Sequence, residues 1–154
     1  MGYRIVANGT GGPEVLQREE IDCGSPETGQ LRVKHMAIGL NYLDTYFRSG
    51  LYPWPEGADH VPGGEAVGIV EAVGEGVTGF SEGDRIGYTL PIGAYTSHRL
   101  VPADRMMHIP DGVGDEVAAA SILKGLTAHY LLNRTFEVKP EHTVLFRPPR
   151  EALA

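Results

Sequence analysis

The chain has 154 residues, 42% of them apolar and 21% charged, enough for about one domain with a buried core of its own. Its net charge of −7, with no cluster of lysines and arginines, excludes a nucleic-acid-binding face, and no apolar run approaches a membrane-spanning length. The single cysteine, Cys23, rules out an internal disulfide and a four-cysteine metal site; with no apolar signal region at the start, a reducing, cytoplasmic setting is expected.

The 21 glycines and 11 prolines are spread along the chain, which suits short strands joined by tight turns. Residues 3–7 predict a short apolar strand, residues 8–13 a turn, and residues 15–21 the hairpin partner by their alternation. Residues 30–40 predict a longer strand with Leu31, Val33 and His35 on one face. Residues 41–50 predict one or two helical turns closed by Gly50. The three prolines of residues 51–62 require a loop. Residues 63–73, 83–88 and 94–101 predict further strands, with a turn at 74–77. To this point the pattern is that of an all-β barrel or sandwich. It changes after Pro110. Residues 116–123 and 126–132 carry helical spacing, with Gly125 at their junction. Ala118, Ala119, Ile122 and Leu123 make one face, continued by Leu126, Tyr130 and Leu131. Residues 143–146 predict a short strand, and the prolines at 148 and 149 cannot continue a central one. A β module followed by helices and a lone strand implies two domains joined near residues 110–125.

Three blocks of sequence point to one family. The first is Gly39-Leu40-Asn41-Tyr42-Leu43-Asp44-Thr45-Tyr46, with Arg48-Ser49-Gly50-Leu51-Tyr52-Pro53 behind it. The second is Pro62-Gly63-Gly64-Glu65-Ala66-Val67-Gly68, followed by Gly83-Asp84-Arg85. The third is Leu123-Lys124-Gly125-Leu126-Thr127-Ala128. Together with the opening Gly11-Gly12-Pro13-Glu14-Val15-Leu16 they resemble the zinc-independent quinone oxidoreductases of the medium-chain dehydrogenase/reductase superfamily. The resemblance implies a mainly β chain with helices. Residues 1–122 would be a GroES-like catalytic β-barrel, and residues 123–146 the linker helix and first strand of a truncated Rossmann domain. Residues 147–154 would be a tail foreign to the family. It also implies hydride transfer from NADPH to a small quinone, with no nucleic-acid or membrane partner.

Zinc-dependent relatives place a cysteine and a histidine where Asn41 and Gly64 stand here. A neutral amide and a glycine are not useful zinc ligands, so no metal is expected. The six histidines (35, 60, 98, 108, 129 and 142) lie scattered in sequence. The resemblance assigns Asn41, Tyr46 and Tyr52 to catalysis, and Asn41, Lys124 and Thr127 to cofactor binding. Plain structural roles compete with these: an N-cap for Asn41, core-edge cover for the tyrosines, a solvated lysine and a capping threonine. Asp44 is balanced between a first-turn helix charge and an active-site role. Glu65 weighs toward a structural partner. Trp54 reads as local packing, and Cys23 lacks a neighbouring base.

The family continues from its Val-Leu-Phe strand into a glycine-rich loop that cradles pyrophosphate. Residues 147–154 contain no glycine. Codons that can write this tail also permit Ala-Ala-Ala-Gly-Gly-Val-Gly in another frame, which suggests a frameshift after Phe146, with a genuine short protein as the alternative. The chain alone would then bind no NADPH and turn nothing over, and its apolar helical face would favour self-association. A stand-alone GroES-like binding or regulatory module without catalysis is the alternative.

Overall fold

A computed structural model describes residues 2–145. They divide into two compact units, one ending at Lys124 and the other beginning at Gly125. Among these residues no helix is long and apolar enough to cross a membrane.

In the first unit, β1 (Gly2–Ala7) and β2 (Leu16–Ile21) form the expected antiparallel hairpin, with Gly2 opposite Ile21 and Ala7 opposite Leu16. β3 (Gln30–Gly39), β4 (Glu65–Val73), β5 (Arg85–Thr89), β6 (His98–Pro102) and β7 (Met107–His108) form a second sheet in the order β6-β3-β4-β5-β7. Every pair in it is antiparallel. The hairpin is stitched to the segment before β6: the Ile5 N–H donates to the Tyr95 carbonyl at 2.8 Å, and the Ser97 N–H donates to the Tyr3 carbonyl at 2.8 Å. Residues 94–97 are therefore irregular, and the strand expected over 94–101 is confined to 98–102. Their hydrogen bonds go instead to Tyr3 and to Pro62 and Gly63.

Alternation along β3 sends Leu31 and Val33 inward with Ala66, Val70, Ile86, Tyr88 and Val101, all essentially unexposed. Each of the larger aliphatic side chains among them contributes about 1.5–3 kcal/mol of apolar burial. β4 is the central strand and both of its faces are covered, which is why it reads as a nearly continuous apolar run. Its second face carries Val67 against Ala118 and Ala119 of a long helix, α2 (Asp115–Tyr130), with Ile109 and Ile122 alongside. Gly39 makes that docking possible. A Cβ there would collide with the Ala119 carbonyl and the Glu65 side chain. The start of α2 is tied to β5 by Arg85, whose Nε donates to Asp115 at 2.6 Å and whose Nη2 donates to the Val113 carbonyl.

The two helices expected over 116–132 are one. α2 runs through Gly125 without a break. A lone glycine costs a helix interior only about 1 kcal/mol, and its neighbours are strong helix formers. In the second unit the helix widens into one π turn, Leu131–Thr135, closed by the Phe136 N–H on the Leu131 carbonyl at 3.1 Å. Residues 143–145 belong to no strand, because no neighbouring strand among the described residues supplies ladder partners. Phe146 and the tail 147–154 lie outside the described residues.

Candidate active site

The sequence between β3 and β4 builds the site. α1 (Tyr42–Ser49) starts at Asn41 in extended backbone and ends at Gly50, whose φ of 78° is the left-handed cap that glycine adopts without strain. Asp44, three residues into the motif, is 4% exposed. Its carboxylate accepts the Asn41 N–H at 2.9 Å, the Gly63 N–H at 3.1 Å and the Tyr95 hydroxyl at 3.1 Å. Burial raises the Asp44 carboxyl above its usual range even against these donors, and the nearby Glu65 adds to the rise. Burial, then the Asp44 charge, pushes the Tyr95 hydroxyl up as well. Asp44 thus pins α1 to the turn before β4 and to the approach of β6.

Glu65 opens β4 and is completely buried. Its Oε1 accepts the Asn41 amide Nδ2–H at 2.9 Å and the Lys124 ammonium at 2.9 Å, and its Oε2 accepts the Leu123 N–H of α2 at 2.7 Å. Lys124 also donates to the Asn41 Oδ1 at 2.8 Å. Asn41, Glu65 and Lys124 therefore form a closed triangle joining α1, β4 and α2. The buried carboxylate is neutralised and hydrogen-bonded on both oxygens, the condition for tolerating such a charge. Lys124 stays 55% exposed in its side chain. Glu65, weighed in sequence toward a structural partner, is the hub of the two predicted residues beside it.

Tyr46 and Tyr52 are also brought together. The Tyr52 N–H donates to the Tyr46 carbonyl at 3.1 Å, which folds the loop after Gly50 back along the helix. The two rings lie 5.4 Å apart, with Tyr42 extending the row at 6.5 Å from Tyr46. Tyr42 is 55% and Tyr52 47% exposed. Trp54 is sandwiched between Phe47 and His60, each at 5.1 Å, the local packing its loop suggested. Thr127 lies on α2 in the second unit.

A second polar cluster was not anticipated. The neutral tautomer of His35 that donates from Nδ1 to the Thr96 carbonyl at 2.7 Å can accept the Tyr88 hydroxyl at Nε2, 3.0 Å away. Arg99 in turn donates to the Tyr88 oxygen at 3.2 Å and to the carbonyls of Pro91 and Ile92. Burial lowers the His35 pKa from 6.5 to about 4. The chain of donors is self-consistent only with that neutral ring. The nearest sequence signal was the inward position of His35 on β3. A cavity of about 810 Å³ opens beside this cluster, lined by Thr96 and Arg99 together with Leu43 and Phe47 from α1, Val61, and Leu90 to Gly93. It does not include Asn41, Glu65 or Lys124.

Among the described residues no group of three or more His, Cys, Asp or Glu is placed to hold a metal. The donor set at the two zinc positions does not fit one either. Gly64 has no side chain, and the Asn41 oxygen already carries the Lys124 ammonium.

The description of the alcohol dehydrogenase GroES-like domain matches residues 27–111. The chain is 47% identical over 147 residues to a quinone oxidoreductase of Pseudomonas aeruginosa, covering 95% of this chain and 45% of that protein. It is 44% identical over 151 residues to a 2-haloacrylate reductase of Burkholderia sp, covering 94% of this chain and 45% of that protein. Among solved structures, the quinone oxidoreductase of Escherichia coli complexed with NADPH superposes with a TM-score of 0.85 at 46% identity, over 90% of this chain and 43% of that one. The chain thus spans a little under half the length of the curated relatives it matches.

Proposed function

Because the chain belongs to the alcohol dehydrogenase GroES-like domain family, among the quinone oxidoreductases of the medium-chain dehydrogenase/reductase superfamily, we propose that it forms the substrate-side portion of an NADPH-dependent quinone reductase. The observation that carries this reading is the pair of half-buried Tyr46, on the helix whose cap Asn41 is tied to Lys124, and exposed Tyr52 just beyond that helix. Two tyrosine faces suit a flat, electron-poor ring, which they hold by offset or edge contacts while their hydroxyls offer donors to its oxygens. Asn41 and Lys124 present amide and ammonium N–H groups that fit a carbonyl or hydroxyl oxygen where the nicotinamide of NADPH meets its acceptor. When bound, NADPH supplies the hydride. This chain's residues then orient the quinone and favour negative charge on its oxygen.

The pyrophosphate needs a glycine-rich loop running from a strand into a helix. Gly74, Gly76 and Gly79 have a dinucleotide-like spacing, but they lie in the stretch joining antiparallel β4 and β5, with no helix behind them. We therefore read the chain on its own as inactive.

Two measurements on the purified chain test this. A simple benzoquinone should shift the ring resonances of Tyr46 and Tyr52, and Tyr52→Ala should weaken its binding about threefold to tenfold, the worth of one aromatic contact. NADPH absorbance should stay constant when the same quinone is present. Unmoved tyrosine signals defeat the substrate reading; steady NADPH oxidation defeats the inactivity.

A further inference from the structure

Lysine 124 is half exposed, yet its charge is placed. Two of its three ammonium hydrogens go to the Asn41 Oδ1 at 2.8 Å and the Glu65 Oε1 at 2.9 Å. Both acceptors are fixed in turn. Asn41 caps α1 and gives an amide hydrogen to Glu65 at 2.9 Å, and Glu65 is fully buried and held on its other oxygen by the Leu123 N–H at 2.7 Å. The third ammonium hydrogen and the second amide hydrogen of Asn41 have no acceptor among the described residues. An ordinary surface lysine spends its charge among many rotamers and solvent. Here a buried carboxylate holds a half-exposed cation in place with one donor left over.

Hydride transfer to a quinone adds two electrons and one hydrogen nucleus and leaves a hydroquinone monoanion. Preorganised donors that meet such a developing charge are the strongest single aid an enzyme gives this kind of step. We propose that the Lys124 ammonium, with the Asn41 amide beside it, is the oxyanion-binding group for the reduced acceptor, and that Glu65 is the positioning residue that holds it there. This deepens the quinone-reductase reading and rests on it, and it assigns Lys124 to the substrate oxygen instead of the cofactor. Glu65 acts only through Lys124 and Asn41.

The test uses the purified chain and 4-nitrophenol, a ring that reports its own ionisation by colour. Bound to the wild-type chain, the probe should turn to the phenolate at lower pH than it does free, with the phenolate preferred over the neutral phenol about tenfold, one pKa unit. Lys124→Met should abolish that preference while the probe still shifts the Tyr46 and Tyr52 resonances. Lys124→Arg should keep it, and Glu65→Gln should lose it, with the backbone amide spectrum reporting that each variant is folded. A merely structural ion pair would change stability but not the phenolate-to-phenol ratio. An unchanged ratio in Lys124→Met overturns the assignment and leaves the quinone reading intact. Failure of the wild-type chain to bind either form at the tyrosines overturns both.

Discussion

At the scale of single residues, His35 gives the clearest pH dependence. Its folded pKa of about 4 lies below the ordinary histidine value of 6.5, because burial disfavours the charged ring. Between those values the unfolded chain binds more protons than the folded one, so stability rises with pH across that window. The contribution is complete above pH 6.5 and is lost as the pH falls toward 4, by at most about 3 kcal/mol. Urea unfolding at several pH values should show this slope, and His35→Gln should flatten it; a slope unchanged in the variant would acquit His35. Asp44 is the other residue whose loss should be felt. Asp44→Ala leaves the Gly63 N–H and the Tyr95 hydroxyl without their acceptor and removes the Asn41 bond. It should cost about 2–4 kcal/mol, read as a lower urea midpoint at constant slope. How legible the site was follows from such contacts. Asn41, Tyr46 and Tyr52 stand within twelve residues of one another and show as a motif. Glu65 meets Asn41 across 24 positions and Lys124 across 59, a separation that no local spacing reveals. The His35–Tyr88–Arg99 cluster was invisible for the same reason, since three strands bring it together.

At the scale of elements, the hairpin, β3 and α1 were readable from alternation, from turn residues and from Gly50. Errors fell where tertiary contacts outrank local signals. Gly125 looked like a helix junction, but α2 passes through it, and the strand expected over 94–101 gives up its first residues to side bonds with Tyr3, Pro62 and Gly63. Two glycine substitutions separate these cases. A Cβ on Gly125 meets nothing within 4 Å. Gly125→Ala should therefore stabilise the helix by about 0.5–1 kcal/mol, seen as greater helicity and a higher melting temperature. A Cβ on Gly39 strikes the Ala119 carbonyl and Glu65. Gly39→Ala should push α2 off the sheet and destabilise the first unit by about 1–3 kcal/mol, with the Lys124–Glu65 bond disturbed as well. If both variants move the same way, α2 is not seated on β3 and β4 as described.

At the scale of the whole molecule, charge and apolar exposure pull in opposite directions. Leu126, Tyr130, Leu131, Leu132 and Phe136 are each 44–59% exposed, within eleven consecutive positions. Scattered exposed apolar residues are ordinary, but five large ones in so short a stretch make a surface that water penalises. The net charge of −7 works against bringing two copies together. Salt separates the two effects, because it screens the repulsion within a Debye length of about 8 Å at 0.15 M and leaves apolar burial intact. The expected outcome is reversible self-association that strengthens as salt is raised, measured by sedimentation equilibrium over a range of protein concentrations. Replacing Leu131 and Leu132 by glutamine should abolish it without lowering the unfolding midpoint of the first unit. A chain that stays monomeric at high salt would mean that these side chains are covered within a single molecule. Association that weakens with salt would point to ion pairs as its cause.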